Sequence, residues 1–209
     1  MARPFFLFAH GAGAPSASAW MQAWRQRLST LGDVQTFDYP YMRAGRKTPD
    51  RPPVLLAAHA EALEQARQRA QGPIVLIGKS MGSRIGCHVA AEQAGDVPDL
   101  RLVCLGYPLK AGGSGALRDQ VLLALRTPIL FVQGTRDPLC PLDLLATVRP
   151  RMIAPNQLHV VEGGDHSLAV SAQRRKQAGI TQADSDAAVL EVIGRFISDD
   201  PVPPRAATG

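Results

Sequence analysis

Three polar residues, one serine, one aspartate and one histidine, have the chemistry needed for nucleophilic catalysis. Ser80 stands in the middle of GKSMG (78–82), which fits the pattern G-x-S-x-G, while Asp137 lies in QGTRDP and His166 in GGDHSL. A serine hydroxyl is a weak nucleophile, so it needs an adjacent base, and the base needs a group that orients it. We therefore ask whether the fold can bring Ser80, His166 and Asp137 together in these roles.

The sequence around Ser80 predicts a strand, a tight turn and a helix. Residues 74–77 form a short apolar run with β-branched side chains, typical of a strand buried on both faces, and the small residues after Ser80 are compatible with a helix. A serine on such a turn lies close to both flanking segments, so Gly78 and Gly82 avoid side chains that would collide. Taken alone, the motif also fits a serine that only caps a helix.

Strands and helices alternate along the chain. Strands are predicted at residues 3–9, 34–39, 74–77, 100–105, 128–133 and 157–161, and helices at 17–31, 54–70, from 80 onwards, 116–125, 141–149 and 185–197. This alternation predicts a three-layer α/β/α sandwich with a mostly parallel sheet of about six strands. Ligands of such sheets bind at the carboxyl ends of the strands. His10, Ser80, Asp137 and His166 all follow predicted strand ends, so we expect them to share one edge.

The remaining segments predict one domain without a large cap. We assign residues 1–198 to this domain and residues 199–209 to a frayed tail. Residues 40–53, rich in Pro, Arg and Gly, and residues 106–115, rich in Gly, are predicted to be loops. Residues 167–184 are mostly polar and are predicted to be mobile.

The HGAGA stretch (10–14) after the first strand is a candidate oxyanion hole. Its small residues leave backbone N–H groups unobstructed. We predict that the N–H groups of Ala12 and Met81 hold a developing oxyanion, Met81 at the start of the helix that follows Ser80. The alternative is that this stretch is only a close-packed turn.

Composition limits the classes of function. The chain has 209 residues, 45% of them apolar and 20% charged, which is typical of a soluble globular protein. Its net charge of +5 is scattered and lacks basic–aromatic interleaving, so we expect no nucleic-acid partner and no membrane association. The short apolar run near the start is interpreted as the first strand rather than a signal peptide. The three cysteines lack zinc-ligand spacing and predict buried thiols in a reducing, cytoplasmic setting, with no metal or cofactor.

On these residues the chain resembles the α/β-hydrolases. The shared motifs are HGAGA (10–14), GKSMGSR (78–84), GYPL (106–109), QGTRDP (133–138) and GGDHSL (163–168). Within that superfamily it is similar to the small dienelactone-hydrolase-like branch, which includes bacterial relatives of a subunit of the nuclear NSL histone-acetyltransferase complex and testis-expressed hydrolase-like proteins. The resemblance implies Ser80 as nucleophile, His166 as general base and then acid, Asp137 as its orienting group, and the strand order 2-1-3-4-5-6.

The expected activity is that of a carboxylesterase-like serine hydrolase. It would cleave a small ester or thioester through an acyl-enzyme intermediate, acting as a monomer or weak homodimer with a small-molecule ester as its partner. Dienelactone hydrolases use cysteine as nucleophile, so Ser80 argues against their substrate.

A shallow acyl pocket, open because no cap covers it, is expected beside the strand ends. Its candidate lining residues, which have core or rim positions as the alternative, are Gly11, Tyr39, Tyr107, Pro108, Leu139 and Leu168. Lys79, next to the serine, could favour an anionic substrate, but we expect its side chain to point to solvent.

Two other classes of function compete with a hydrolase. An interaction module on the same fold would bind partners through the arginine-bearing segments 40–53 and 167–184. A dinucleotide-binding oxidoreductase is suggested by the glycines of residues 11–16 and by Asp38 at the end of the second strand. That fingerprint fails at its third glycine, where Ser16 stands, and leaves the serine, aspartate and histidine unexplained.

Overall fold

The computed structural model describes residues 2–92, 99–111 and 116–198 of the chain. Its strands are β1 (Phe5–Ala9), β2 (Asp33–Phe37), β3 (Ile74–Lys79), β4 (Arg101–Leu105), β5 (Ile129–Gly134) and β6 (Asn156–Val161). They form one sheet in the order β2-β1-β3-β4-β5-β6, and every neighbouring pair is parallel. The predicted strand order is confirmed, and all six carboxyl ends lie at the same edge.

The helices cover both faces of this sheet. They are α1 (Ala19–Leu28), α2 (Pro40–Arg43), α3 (Pro52–Arg69), α4 (Met81–Glu92), α5 (Gln120–Ala124), α6 (Leu142–Val148), α7 (Ala172–Ala178) and α8 (Gln182–Ser198). One apolar cluster packs α1 and α8 against the sheet, and another packs α3, α4, α5 and α6 against the opposite face. The three-layer α/β/α sandwich is therefore confirmed.

The central strands are apolar on both sides, as the sequence predicted. In β1, Phe6 and Phe8 belong to the cluster with α1 and α8, whereas Leu7 belongs to the cluster on the other face. Successive side chains of a strand point to opposite faces, so a strand covered on both sides reads as a continuous apolar run. Burial on both faces fixes the position of each strand end and of the loop that follows it.

Two segments predicted to be irregular contain helices. Residues 40–53 include α2 and the start of α3, each with a proline in its first turn, where the fixed φ of proline suits a helix. Within 167–184, Ser171 caps α7 by accepting the N–H of Arg174, and Gly179 ends it at φ 65°. Tyr41 is the buried residue of α2, and α7 has none, so periodicity did not reveal these two helices. Residues 112–115 of the predicted glycine loop and the tail 199–209 lie outside the described residues.

The burial of the three cysteines agrees with a further expectation. Cys87, Cys104 and Cys140 are buried free thiols, as predicted. No helix in the described part of the chain is long and apolar enough to cross a membrane.

Candidate active site

Ser80 occupies a strained turn between β3 and α4. Its φ is 51°, in the left-handed region that a serine rarely adopts. A Cβ atom at Gly78 would lie 2.2 Å from the nitrogen of Ser83, and one at Gly82 would lie 2.5 Å from the carbonyl oxygen of Ala9. The turn can form only because both positions lack a side chain, which presents the Ser80 hydroxyl at the carboxyl edge of the sheet.

The structure brings the three predicted residues into one hydrogen-bonded line. Nε2 of His166 lies 2.8 Å from Oγ of Ser80, and Nδ1 of His166 lies 2.8 Å from Oδ2 of Asp137. An ionised carboxylate can only accept, so Nδ1 carries the ring proton and Nε2 is left to accept the Ser80 hydroxyl. The side chain of Asp137 is fully buried, whereas 25% of the His166 side chain is exposed.

Asp137 is held in its ionised form by the groups around it. Oδ2 also accepts from the side-chain amide of Gln133, and Oδ1 accepts the N–H of Leu139 over 2.9 Å. Burial alone would raise the pKa of Asp137, but the hydrogen bond and charge of His166, with these two donors, outweigh it and lower the pKa. Gln133, which fixes the carboxylate, was not recognised in the sequence because an interior glutamine has no distinctive pattern.

Asp165, the other carboxylate near His166 in sequence, is used within its own loop. Its Oδ1 accepts the N–H of Ser167 over 2.7 Å and the N–H of Ala169 over 3.0 Å. These contacts form a turn that ends at Leu168, whose φ is 63°. We call residues 163–168 the histidine loop. Asp165 shapes this loop, and Asp137 is the carboxylate that contacts the imidazole.

Two glycines at neighbouring strand ends let the histidine loop approach the sheet. A Cβ at Gly106, after β4, would lie 2.7 Å from the carbonyl oxygen of His166, and one at Gly134, in β5, would lie 2.3 Å from that of Gly164. Any side chain at either position would push the loop away from Ser80. These glycines stood in the quoted motifs, but their close contacts became visible only in the structure.

The predicted oxyanion stretch lies beside the serine. A Cβ at Gly11 would lie 3.6 Å from the Cβ of Ser80. His10 is fully buried and contacts the carbonyl oxygen of Gly11 through Nδ1 over 2.6 Å, and the hydroxyl of Tyr41 donates to the carbonyl oxygen of Ala12 over 2.9 Å. Tyr41 was missed because it comes from α2, which the sequence did not predict.

Lys79 does not point to solvent, so that prediction was wrong. Its Nζ donates to the carbonyl oxygen of His166 and lies 5.4 Å from the centre of the Trp20 ring. Burial lowers the pKa of Lys79 to about 8, although Asp137 and Asp165 both act to raise it. A residue at a strand end can turn toward either neighbour, and the loops that decide its direction come from distant parts of the sequence.

Most of the residues suggested for the acyl pocket are buried in the core. The buried ones are Tyr39, Tyr107, Pro108 and Leu168, whereas Gly11 and Leu139 are partly exposed. Tyr39 donates to or accepts from Nδ1 of His59 over 2.9 Å, and the hydroxyl of Tyr107 donates to the carbonyl oxygen of Arg118. Both tyrosines are fully buried, so neither offers a surface to a substrate in this structure.

The sequence and the fold are both similar to those of known proteins. Residues 2–198 match the family described as "Alpha/beta hydrolase domain". The chain belongs to the α/β-hydrolase family. Among solved structures, this α/β-hydrolase is similar to an alpha-beta serine hydrolase homologue from Coxiella burnetii, with a TM-score of 0.69 and 18% identity over 92% of this chain and 84% of that one.

Two further structures with the same fold are a dienelactone hydrolase and a thioesterase. Dienelactone hydrolase from Anabaena variabilis gives a TM-score of 0.68 and 17% identity over 93% of this chain and 85% of that one. The RedJ thioesterase of the prodiginine pathway of Streptomyces coelicolor gives 0.63 and 18%, covering 92% and 89%. At such identities the similarity shows a shared fold, and it agrees with the resemblance to the dienelactone-hydrolase-like branch.

Proposed function

We propose that this α/β-hydrolase is a serine hydrolase that cleaves a small ester or thioester through an acyl-enzyme intermediate. The observation that carries the proposal is the line of hydrogen bonds from Ser80 through His166 to the buried Asp137. Each member has the atom that its role requires at hydrogen-bond distance, and the imidazole is partly exposed.

The proposed reaction has two halves that use the same groups. Oγ of Ser80 attacks the acyl carbon while its proton moves to Nε2 of His166, and the carbonyl π electrons move onto the oxygen. The intermediate collapses, the C–O or C–S bond breaks, and His166 returns the proton to the departing alcohol or thiol. Water then attacks the acyl-serine by the same route and releases the acid and Ser80. Asp137 stabilises the imidazolium that forms in both halves.

Two backbone N–H groups are placed to stabilise the oxyanion in this proposal. Met81 is the first residue of α4, where a helix has N–H groups without intrahelical acceptors. Ala12 follows Gly11, whose position lies beside Ser80, and no acceptor for the Ala12 N–H lies among the described residues. Together these donors would meet the negative charge that develops next to the serine.

Two observations support short esters and thioesters as the substrate class: the burial of residues at the site and the activity of a similar solved structure. Tyr39, Tyr107 and Leu168 are packed in the core, so they leave no deep channel of their own for a long acyl chain. One of the similar structures is a thioesterase, which supports testing thioesters beside oxygen esters. We therefore expect short acyl groups to be the best substrates.

A panel of p-nitrophenyl esters from acetate to decanoate, with acetyl and hexanoyl thioesters of N-acetylcysteamine, tests this proposal. We expect kcat/KM to be highest for the shortest chains and to fall to background in Ser80→Ala. Ser29→Ala, at the exposed residue that caps the carboxyl end of α1, is the matched control and should behave as wild type. Ester hydrolysis by Ser80→Ala near the wild-type rate would exclude Ser80 as nucleophile.

A further inference from the structure

Lys79 joins β3 to the backbone that carries the candidate base. Its Nζ donates to the main-chain carbonyl oxygen of His166 while the ammonium lies over the ring of Trp20 at 5.4 Å. Its stem passes close to the oxyanion stretch, because a Cβ at Gly11 would lie 3.3 Å from Cγ of Lys79. The side chain is therefore fixed between three elements and has little room to rotate into solvent.

Two successive carbonyl groups, those of His166 and Ser167, each accept a hydrogen bond from a side chain. Nε1 of Trp20 in α1 donates to the carbonyl oxygen of Ser167 over 2.9 Å, next to the His166 carbonyl that Lys79 holds. Gly106 gives the loop the space to reach these donors. Since the ring of His166 must meet Ser80 and Asp137 at once, a small rotation of its backbone would lengthen both contacts.

The Lys79 ammonium also lies close to the imidazole. Nζ of Lys79 and Nδ1 of His166 each lie 3.4 Å from the position that a Cβ at Gly106 would take, so the two nitrogens are at most twice that distance apart. The charged and titratable groups that face Lys79 are Asp137 after β5 and Asp165 and His166 in the histidine loop.

We propose that Lys79 is a positioning residue, whose charged ammonium fixes the His166 main chain and so keeps Nε2 in line with the Ser80 hydroxyl. This inference depends on the proposed hydrolase function for its kinetic consequences, although the contact itself can be tested without turnover. A hydrogen bond from an ammonium is roughly twice as strong as one from a neutral amine. Deprotonation of Lys79 therefore loosens the histidine loop.

This proposal predicts that kcat falls at alkaline pH, and that Lys79, which lies outside the proposed triad, causes the fall. The pKa of Lys79 is about 8, because burial lowers it more than Asp137 and Asp165 raise it. The ammonium is present below this pH and is lost above it, so kcat should fall as the pH rises through about 8.

Four variants separate this role from the alternatives, with the neutral substrate p-nitrophenyl acetate measured between pH 6 and 9.5. Lys79→Met should lower kcat on the order of tenfold, with KM unchanged, and should abolish the alkaline limb. Lys79→Arg keeps a charge that does not titrate, so it should restore part of kcat and also lack the limb. Trp20→Phe removes the neutral donor to Ser167 and should lower kcat but keep the limb. Lys47→Met, at an exposed lysine, should match wild type.

The result that overturns the proposal is equally specific. If Lys79→Met keeps the wild-type kcat and pH profile with the neutral ester, and only its KM for a negatively charged p-nitrophenyl hemisuccinate rises, then Lys79 binds substrate and does not position His166. An alkaline limb that persists in Lys79→Arg at the same pH would also contradict it.

A measurement without substrate keeps the two proposals distinct. The amide signal of Ser167 in a ¹⁵N–¹H spectrum reports the peptide whose carbonyl Lys79 holds. It should shift with a midpoint near pH 8 in wild type and in Trp20→Phe, and this transition should be absent in Lys79→Met. If the Ser167 signal titrates in this way but the protein cleaves no ester, the contact between Lys79 and His166 is supported and the hydrolase proposal is excluded. The same titration in wild type and Lys79→Met would exclude the contact itself.

Discussion

The backbone N–H of Tyr39 donates to Nε2 of His10 over 3.1 Å, and this contact determines which nitrogen of a buried imidazole carries the proton. The proton is on Nδ1, which donates to the carbonyl oxygen of Gly11 over 2.6 Å. Burial lowers the pKa of His10 more than the Gly11 carbonyl and Asp38 raise it, so the ring is neutral near pH 7. A trans peptide directs its C=O and N–H oppositely, and the N–H of Ala12 therefore points away from His10.

His10→Ala should reduce turnover while the triad stays intact. Without the Nδ1 donor, the peptide that carries the Ala12 N–H can rotate, and the loss of one oxyanion donor costs about 10²-fold or more in kcat. His10→Asn, whose amide nitrogen can take the place of Nδ1, should recover part of that loss. Steady-state kinetics with p-nitrophenyl acetate give both values, and a folded His10→Ala variant within twofold of wild type would show that Ala12 is not a donor.

Asp137→Asn should lose turnover far more than Asp165→Asn. An amide in place of the Asp137 carboxylate can donate to Nδ1 and so favour the wrong tautomer, an effect of roughly 10⁴ in kcat for serine proteases. Asp165 accepts the N–H groups of Ser167 and Ala169 and is not the partner of Nδ1, so its replacement should cost less than about tenfold. The ratio of the two kcat values decides between the carboxylates, and a larger loss at Asp165 would reverse the assignment.

The backbone strain at Ser80 should be measurable as a difference in the free energy of unfolding between two variants. Its φ of 51° is costly for any residue with a Cβ and not for glycine. Ser80→Gly should therefore be more stable than Ser80→Ala by about 1 kcal/mol, although neither turns over substrate. Urea unfolding of the two variants, which differ by one methyl group, gives the difference, and an Ala variant at least as stable as the Gly variant would show that the turn is unstrained.

His59 should make the protein sensitive to acid. Its ring is buried, its Nε2 has no hydrogen-bond partner among the described residues, and burial lowers its pKa to about 3. The unfolded chain takes up a proton near pH 6.5 and the folded one does not, so stability is complete above that pH and falls as the pH drops toward 3. The total loss from this one group is a few kcal/mol.

His59→Gln should flatten this dependence. The free energy of unfolding between pH 7 and 4 should fall less steeply in His59→Gln than in wild type. His88→Gln, at a partly exposed histidine on α4, is the matched control and should change the slope less. An identical slope in wild type and His59→Gln would mean that His59 takes up its proton in the folded state.

The fold and the proximity of Ser80, Asp137 and His166 could be predicted because both depend on short-range patterns. Apolar runs with β-branched residues marked the strands, and parallel strands end at one edge, so Ser80, Asp137 and His166 had to lie near one another. For most helices and strands, the observed ends differ from the predicted ones by a few residues, because side chains at the ends of an element indicate its boundary only weakly.

The rest of the site depends on contacts between distant segments, which no local pattern encodes. Lys79 turns inward because the histidine loop and Trp20 supply its acceptor and its aromatic face. Tyr39 and Tyr107 follow strand ends, as a pocket residue would, yet both are buried in apolar clusters that include residues of the helices. The proton on Nδ1 of His10 likewise depends on the Tyr39 backbone.

The most direct test of the central claim is the reaction of the intact protein with a fluorophosphonate probe, followed by mass spectrometry. An activated serine displaces fluoride and leaves one phosphonyl adduct, which we expect on Ser80 and at no other serine. Ser80→Ala and His166→Ala should remain unlabelled under the same conditions, while Ser29→Ala labels as wild type. Wild-type protein that is folded but gains no adduct, or labelling that persists in Ser80→Ala, would contradict the assignment of Ser80 as the nucleophile.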